Sequence, residues 1–125
     1  MMINRLGQVM LYVNNQEACR DFWTEKLGFE VISDQTSGPM RWIEVAPKGA
    51  ATSLVLHHKE LIAKMNPEMN LGTPSIMYYT DQFDALYSDL QNKNVKVGDI
   101  VELPTGRVFN FADVEDNYFA VSEKK

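Results

Sequence analysis

The chain has two histidines, adjacent at His57 and His58, and imidazole is the commonest protein ligand for transition metals. His57 ends TSLVLH, which reads as a β-strand over Thr52 to His57, and His58 follows it; neighbours on a strand point to opposite faces. The pair cannot grip one ion together. His57 with Gln8 would still need an acidic partner, for which Glu44 is the candidate. Cys19 is the single cysteine; it sits mid-helix without a cue for thiolate stabilisation, so it reads as a structural or surface thiol rather than a nucleophile. The acids Glu17, Asp21, Glu25, Asp84 and Asp89 fall on helices and are expected to face water, which leaves no paired carboxylates for acid-base work. Arg41 and Arg107 could hold an anionic group, or lie on the surface. Tyr12, Tyr79 and Tyr118 could donate protons, but with Met10 and Met77 beside them they read equally as a deformable apolar lining. No phosphate loop, nucleophile elbow or Cys/His ligand spacing occurs.

These residues must be positioned by a short set of elements. Gln8 to Val13 alternates as a half-buried strand, with Val9, Leu11 and Val13 on one face and Gln8, Met10 and Tyr12 on the other. Asn14 and Asn15 are caps for a helix with Glu17 in its first turn and an apolar stripe of Ala18, Phe22 and Leu27. Gly28 ends that helix, and Phe29 to Ser33 returns as a strand. Asp34 to Pro39 reads as a turn, Arg41 to Val45 as a strand, and Thr52 to His57 as another, with Leu54 and Leu56 on one face and Ser53, Val55 and His57 on the other. A helix within Lys59 to Met69 is limited by Pro67, and residues 70–74 look like a linker.

The pattern then recurs. Ile76 to Asp81 overlays Val9 to Asn14, and Asp84-Ala85 overlays Glu17-Ala18, at one offset of 67 residues; Val95 to Val97 overlays Phe29 to Val31 at 66. The second copy reads as a strand over Ser75 to Thr80 and a helix over Gln82 to Lys93 with Phe83, Leu86, Tyr87 and Leu90 on one side. A short strand at Val95 to Val97, an irregular or weakly extended stretch from Asp99 to Pro104, and strands at Arg107 to Ala112 and Tyr118 to Ser122 complete it. Each copy is βαβββ. The expected class is α+β: two tandem modules, about 1–69 and 70–125, forming a cupped, partly open barrel-like sheet with helices outside, within one domain over 1–125.

Length and composition bound the function. A chain of 125 residues suits one domain with a real core. The net charge of −5, with no basic cluster beyond Lys124-Lys125, argues against a nucleic-acid surface. No apolar run approaches membrane-spanning length, and MMINRLGQ lacks the core of a signal peptide, so a cytoplasmic protein is expected.

Two segments and the repeat carry a resemblance. FWTEKLGFEV at 22–31 looks like the "FYxxxLGFxx" signature of the vicinal oxygen chelate superfamily, and DVEDNYFAV at 113–121 looks like its "DPDGNxxEL" turn and last strand. That superfamily includes glyoxalase I, extradiol dioxygenases and bleomycin resistance proteins. Val114 and Asp116 stand where Pro and Gly are usual, and Asn94 stands where the first module has Gly28; asparagine tolerates a left-handed turn. The resemblance implies a divalent ion held by cleft-facing strands. Carried across residue by residue, its four ligand positions fall on Gln8, Val55, Ser75 and Ala120. Glutamine can serve, but valine and alanine have no donor atoms and a serine hydroxyl is a poor neutral ligand.

The expected function is therefore metal-independent binding of a small hydrophobic or aromatic ligand, with no cofactor. The expected lining is Gln8, Met10, Tyr12, Val55 and His57 from the first module, and Ser75, Met77, Tyr79, Tyr118 and Ala120 from the second, with Arg107 at the mouth. A cleft of this kind forms within one chain or between chains, and the resemblance implies a homodimer. The alternative is a glyoxalase-like lyase or dioxygenase-related metalloenzyme with relocated ligands, and a third possibility is a regulatory subunit with a vestigial cleft.

Overall fold

The computed structural model describes residues 2–124, which form two compact units divided between Pro74 and Ser75. In the first, β1 (Gln8–Val13), β2 (Glu30–Ser37), β3 (Met40–Ala46) and β4 (Ser53–His58) make a sheet in the order β1-β4-β3-β2. In the second, β5 (Met77–Thr80), β6 (Val101–Leu103), β7 (Gly106–Ala112) and β8 (Tyr118–Glu123) make a sheet in the order β5-β8-β7-β6. The two orders are the same order. Each sheet pairs its first strand parallel to its last and is otherwise antiparallel. The class is α+β with two tandem βαβββ modules.

In the first unit, α1 (Gln16–Asp21) runs on into a wider π-helical turn, Phe22–Lys26. Asn15 caps it, its side-chain oxygen accepting from the Ala18 amide at 2.9 Å. Gly28, at φ 75°, turns the chain out of the helix, while Phe29 donates back to the Trp23 carbonyl at 2.9 Å. The buried stripe is Cys19, Phe22 and Trp23, so the expectation of Ala18 and Leu27 is corrected: both are only half-buried. The π turn moves the inward face to adjacent residues, and Phe22 and Trp23 both point to the core. That stripe packs against the sheet face formed by Leu11, Val13, Ile43, Val45, Leu54 and Leu56.

In the second unit, α3 (Phe83–Asn92) lays Phe83 and Tyr87 edge-on against Phe109 of β7, with centroids 5.3 and 4.9 Å apart. Asn94, at φ 61°, takes the left-handed turn that Gly28 takes in the first unit, and Asp116 does so at φ 59° in the turn before β8. The helix α2 (Lys59–Met65) stops two residues before Pro67 rather than reaching Met69.

Four expectations are corrected. Asp34 to Pro39 is not a turn: β2 continues to Ser37, and only Gly38 and Pro39 link it to β3. Of Asp99 to Pro104, expected to be irregular or weakly extended, Val101–Leu103 is a regular strand paired with β7. Val95 to Val97 makes a single bridge, Val97 to Phe111, instead of a strand. Ser75 precedes β5, which begins at Met77.

Candidate ligand-binding site

Strand pairing decides which side chains share a face. In the first unit Gln8 lies beside Ser53, Met10 beside Val55 and Tyr12 beside His57 across the parallel β1–β4 pair. The antiparallel β3–β4 pair adds Glu44 beside Val55 and Trp42 beside His57. This is the face away from α1, since Leu11, Ile43 and Leu56 alternate to the other side. All five residues expected from this module therefore come together. Trp42 was missed, although its alternation with apolar Ile43 and Val45 was a signal for it.

The face has two chemically distinct ends. At one, Glu44 Oε2 accepts from Gln8 Nε2 at 3.3 Å and from the Ser53 hydroxyl in a short hydrogen bond. At the other, His57 Nε2 lies 3.2 Å from Met10 Sδ, and the His57 ring stacks on Tyr12 with centroids 5.6 Å apart. Tyr12 Oη in turn donates to Met69 Sδ at 3.7 Å. Burial holds the His57 imidazole below its ordinary pKa, because desolvation disfavours the charged ring.

In the second unit Met77 lies beside Ala120 and Tyr79 beside Ser122 across β5 and β8, while Asn110 and Ala112 of β7 flank Ala120 and Tyr118. Met77, Tyr79 and Tyr118 are 48, 66 and 52% exposed on the face away from α3. Two ammonium groups sit over that aromatic surface: Lys96 Nζ is 5.8 Å from the Tyr118 ring centre and Lys124 Nζ is 5.3 Å from that of Tyr79. The Tyr118 hydroxyl, followed by the charge of Asp116, raises the pKa of Lys96.

Arg107 does not belong to this face. It shares a face with Phe109 and Phe111, lies over the Phe83 ring at 4.6 Å, and bonds Asp84 through both terminal nitrogens at 3.0 Å and Glu123 at 2.9 and 3.1 Å. Arg41 behaves alike in the first unit, bonding Asp34 at 2.8 and 3.0 Å and Glu17 at 3.3 Å. Each guanidinium ties a strand to the first turn of its module's helix. The expectation that Arg107 reaches a ligand is corrected by this placement.

The metal implied by the fold does not fit these residues. Val55, only 2% exposed, occupies a ligand position with hydrocarbon between Met10 and Glu44, and Ala120 does the same beside Met77. Gln8 directs its amide nitrogen at Glu44, and His57 directs Nε2 at a thioether instead of at that pair. Among the described residues, no group of three or more His, Cys, Asp or Glu could hold an ion.

Paired βαβββ modules, each with a helix on one sheet face and a mixed apolar and polar surface on the other, define the class. The chain belongs to the Glyoxalase/Bleomycin resistance protein/Dioxygenase superfamily, whose family model matches residues 5–121. It is 34% identical to the uncharacterized protein YetH of Bacillus subtilis (strain 168), over 98% of this chain and 100% of that one. It is similar to the crystal structure of TnmS3, an antibiotic binding protein from Streptomyces sp. CB03234, with 33% identity and a TM-score of 0.86 over 100% of this chain and 99% of that chain. A superfamily member from Sphaerobacter thermophilus DSM 20745 gives 27% identity and a TM-score of 0.85 over 99% and 100%. No helix among the described residues is long and apolar enough to cross a membrane.

Proposed function

We propose that this protein, one domain over 1–125, binds a small hydrophobic or aromatic molecule without a metal ion, holding it against a helix-free sheet face. The observation that carries this reading is the pairing of hydrocarbon at two ligand positions, Val55 and Ala120, with methionine and tyrosine at the strand positions around them. Loss of donors removes the means to hold an ion, while thioethers and rings supply a deformable apolar surface with few polar groups. The likeness to an antibiotic binding protein at 33% identity supports a ligand-binding role. The exposed apolar residues on the helix-free faces support a homodimer, in which a second copy covers surface that one chain leaves open. The protein works in the cytoplasm and takes no nucleic acid as a partner.

Thermal-shift screening of an aromatic compound library in chelator tests the reading, because a ligand that binds the native state raises Tm. Aromatic compounds that raise Tm in chelator are the expected result. Stabilisation seen only with Ni²⁺, Zn²⁺, Mn²⁺ or Fe²⁺ would overturn it.

A further inference from the structure

Glu44 is a half-buried carboxylate bonded to neutral donors inside a pocket. Others, including Glu17, Asp34, Asp84 and Glu123, are matched to an arginine, but among the described residues no basic side chain lies within salt-bridge distance of Glu44. Its two hydrogen bonds come from neutral donors, Gln8 and Ser53, and both end on Oε2. Oε2 is thereby fixed, and Oε1 is left to accept. A carboxylate offers about four acceptor sites, so half its capacity is unused.

The carboxylate lines a pocket of about 530 Å³ at one end of the first module's helix-free face. Ile32 and Ala46 contribute apolar wall, and Gln8 and Ser53 contribute the polar floor. Arg5 also lines it, but its Nη1 donates to the Ala51 carbonyl at 3.1 Å rather than to Glu44. Position 44 corresponds to Asn110 in the second module, since each pairs with the residue at its module's vacant ligand position, Val55 or Ala120. The charge is therefore a feature of one module and not of the repeat. A half-buried anion oriented by neutral donors, with Arg5 of the same pocket bonded to a backbone carbonyl and not to it, has the chemistry to receive an ammonium group.

We propose that Glu44 is the charge anchor of the ligand site: the bound molecule carries a basic nitrogen on its aromatic or apolar body, and that ammonium pairs with Glu44 Oε1 in this pocket. The proposal rests on the binding-protein reading and names the ligand class within it. The net charge of −5 favours the approach of such a cation at long range.

The test uses three probes of one shape: 2-naphthylmethylamine as the cation, 2-naphthylmethanol as the neutral form and 2-naphthoate as the anion. Each is titrated at pH 7 into the wild-type chain and into Glu44→Gln, which keeps the side chain's size and its capacity to accept from Ser53. The cation is expected to bind the wild type at least about tenfold tighter than the neutral probe, which corresponds to about 1.4 kcal/mol. Glu44→Gln is expected to abolish that preference by weakening the cation's binding at least about tenfold more than the neutral probe's. Equal binding of all three probes, tightest binding of the anion, or an undiminished preference in Glu44→Gln would overturn the Glu44 assignment alone. Failure of all three to bind would overturn it together with the reading on which it rests.

Discussion

Arg107 and Asp84 face each other as two parallel hydrogen bonds, Nη1 to Oδ1 and Nη2 to Oδ2, each 3.0 Å long, joining β7 to the first turn of α3. Arg41 and Glu17 hold the same positions in the first module, 66 and 67 residues earlier. The guanidinium of Arg107 holds the Asp84 carboxyl below its ordinary pKa of 3.8. The sign follows: the pair contributes at neutral pH, and its contribution is lost as the pH falls below 3.8 through the folded value. Asp84→Asn is expected to lower Tm modestly at pH 7 and by progressively less as the pH falls below 3.8, with the gap also shrinking in high salt because Asp84 is largely exposed. A pH-independent gap in thermal melts would contradict this.

Gly28 and Asn94 end equivalent helices in left-handed conformations, at φ 75° and 61°. Gly28→Ala is expected to cost about 1–2 kcal/mol in urea unfolding, by placing a Cβ in that region, although nothing lies within 4 Å to clash with it. Asn94→Gly is expected to change stability by less than about 1 kcal/mol, since asparagine already tolerates the turn.

Central elements were legible in the sequence, and edge elements were not. In β3 and β4, Ile43, Val45, Leu54 and Leu56 bury one face, so their alternation is written in the residues. β2 and β6 are the outer strands of their sheets, and nearly every residue in them is exposed. Asp34, Gln35 and Thr36 read as loop because the strand they belong to buries almost nothing. At the site, parity placed Met10, Tyr12, Val55 and His57 on one face, and the same parity puts Arg107 with buried Phe109 and Phe111 on the opposite side from a ligand, an alternation that the expected mouth position did not use. Trp42 was legible from its alternation with buried Ile43 and Val45, and its pairing with His57 then fixes its neighbours on the face.

Cys19 has no exposed surface. Its thiol is expected to react with a disulfide reagent at least about a hundredfold more slowly in the native protein than in denaturant, since attack requires access. Fast stoichiometric labelling of native protein would contradict the burial.

His57 is held below its ordinary pKa of 6.5 by burial against Met10 and Tyr12. The unfolded chain thus takes up a proton at His57 before the folded one does. Stability is expected to fall as the pH drops through 6.5, until the folded imidazole also titrates. His57→Gln is expected to flatten that slope in urea unfolding measured across pH. An identical slope in the variant would show that other groups carry it.

The central claim is that hydrocarbon at Val55 in one module and at Ala120 in the other leaves helix-free faces that bind a ligand unaided by an ion. The direct measurement is the Kd of the best aromatic ligand, followed by tryptophan fluorescence with Trp42 on the binding face, in chelator and again after loading with Ni²⁺, Zn²⁺, Mn²⁺ or Fe²⁺. The account predicts the same Kd within about twofold and no stoichiometric metal retained after dialysis. One ion held per chain, with binding lost when it is stripped, would contradict it.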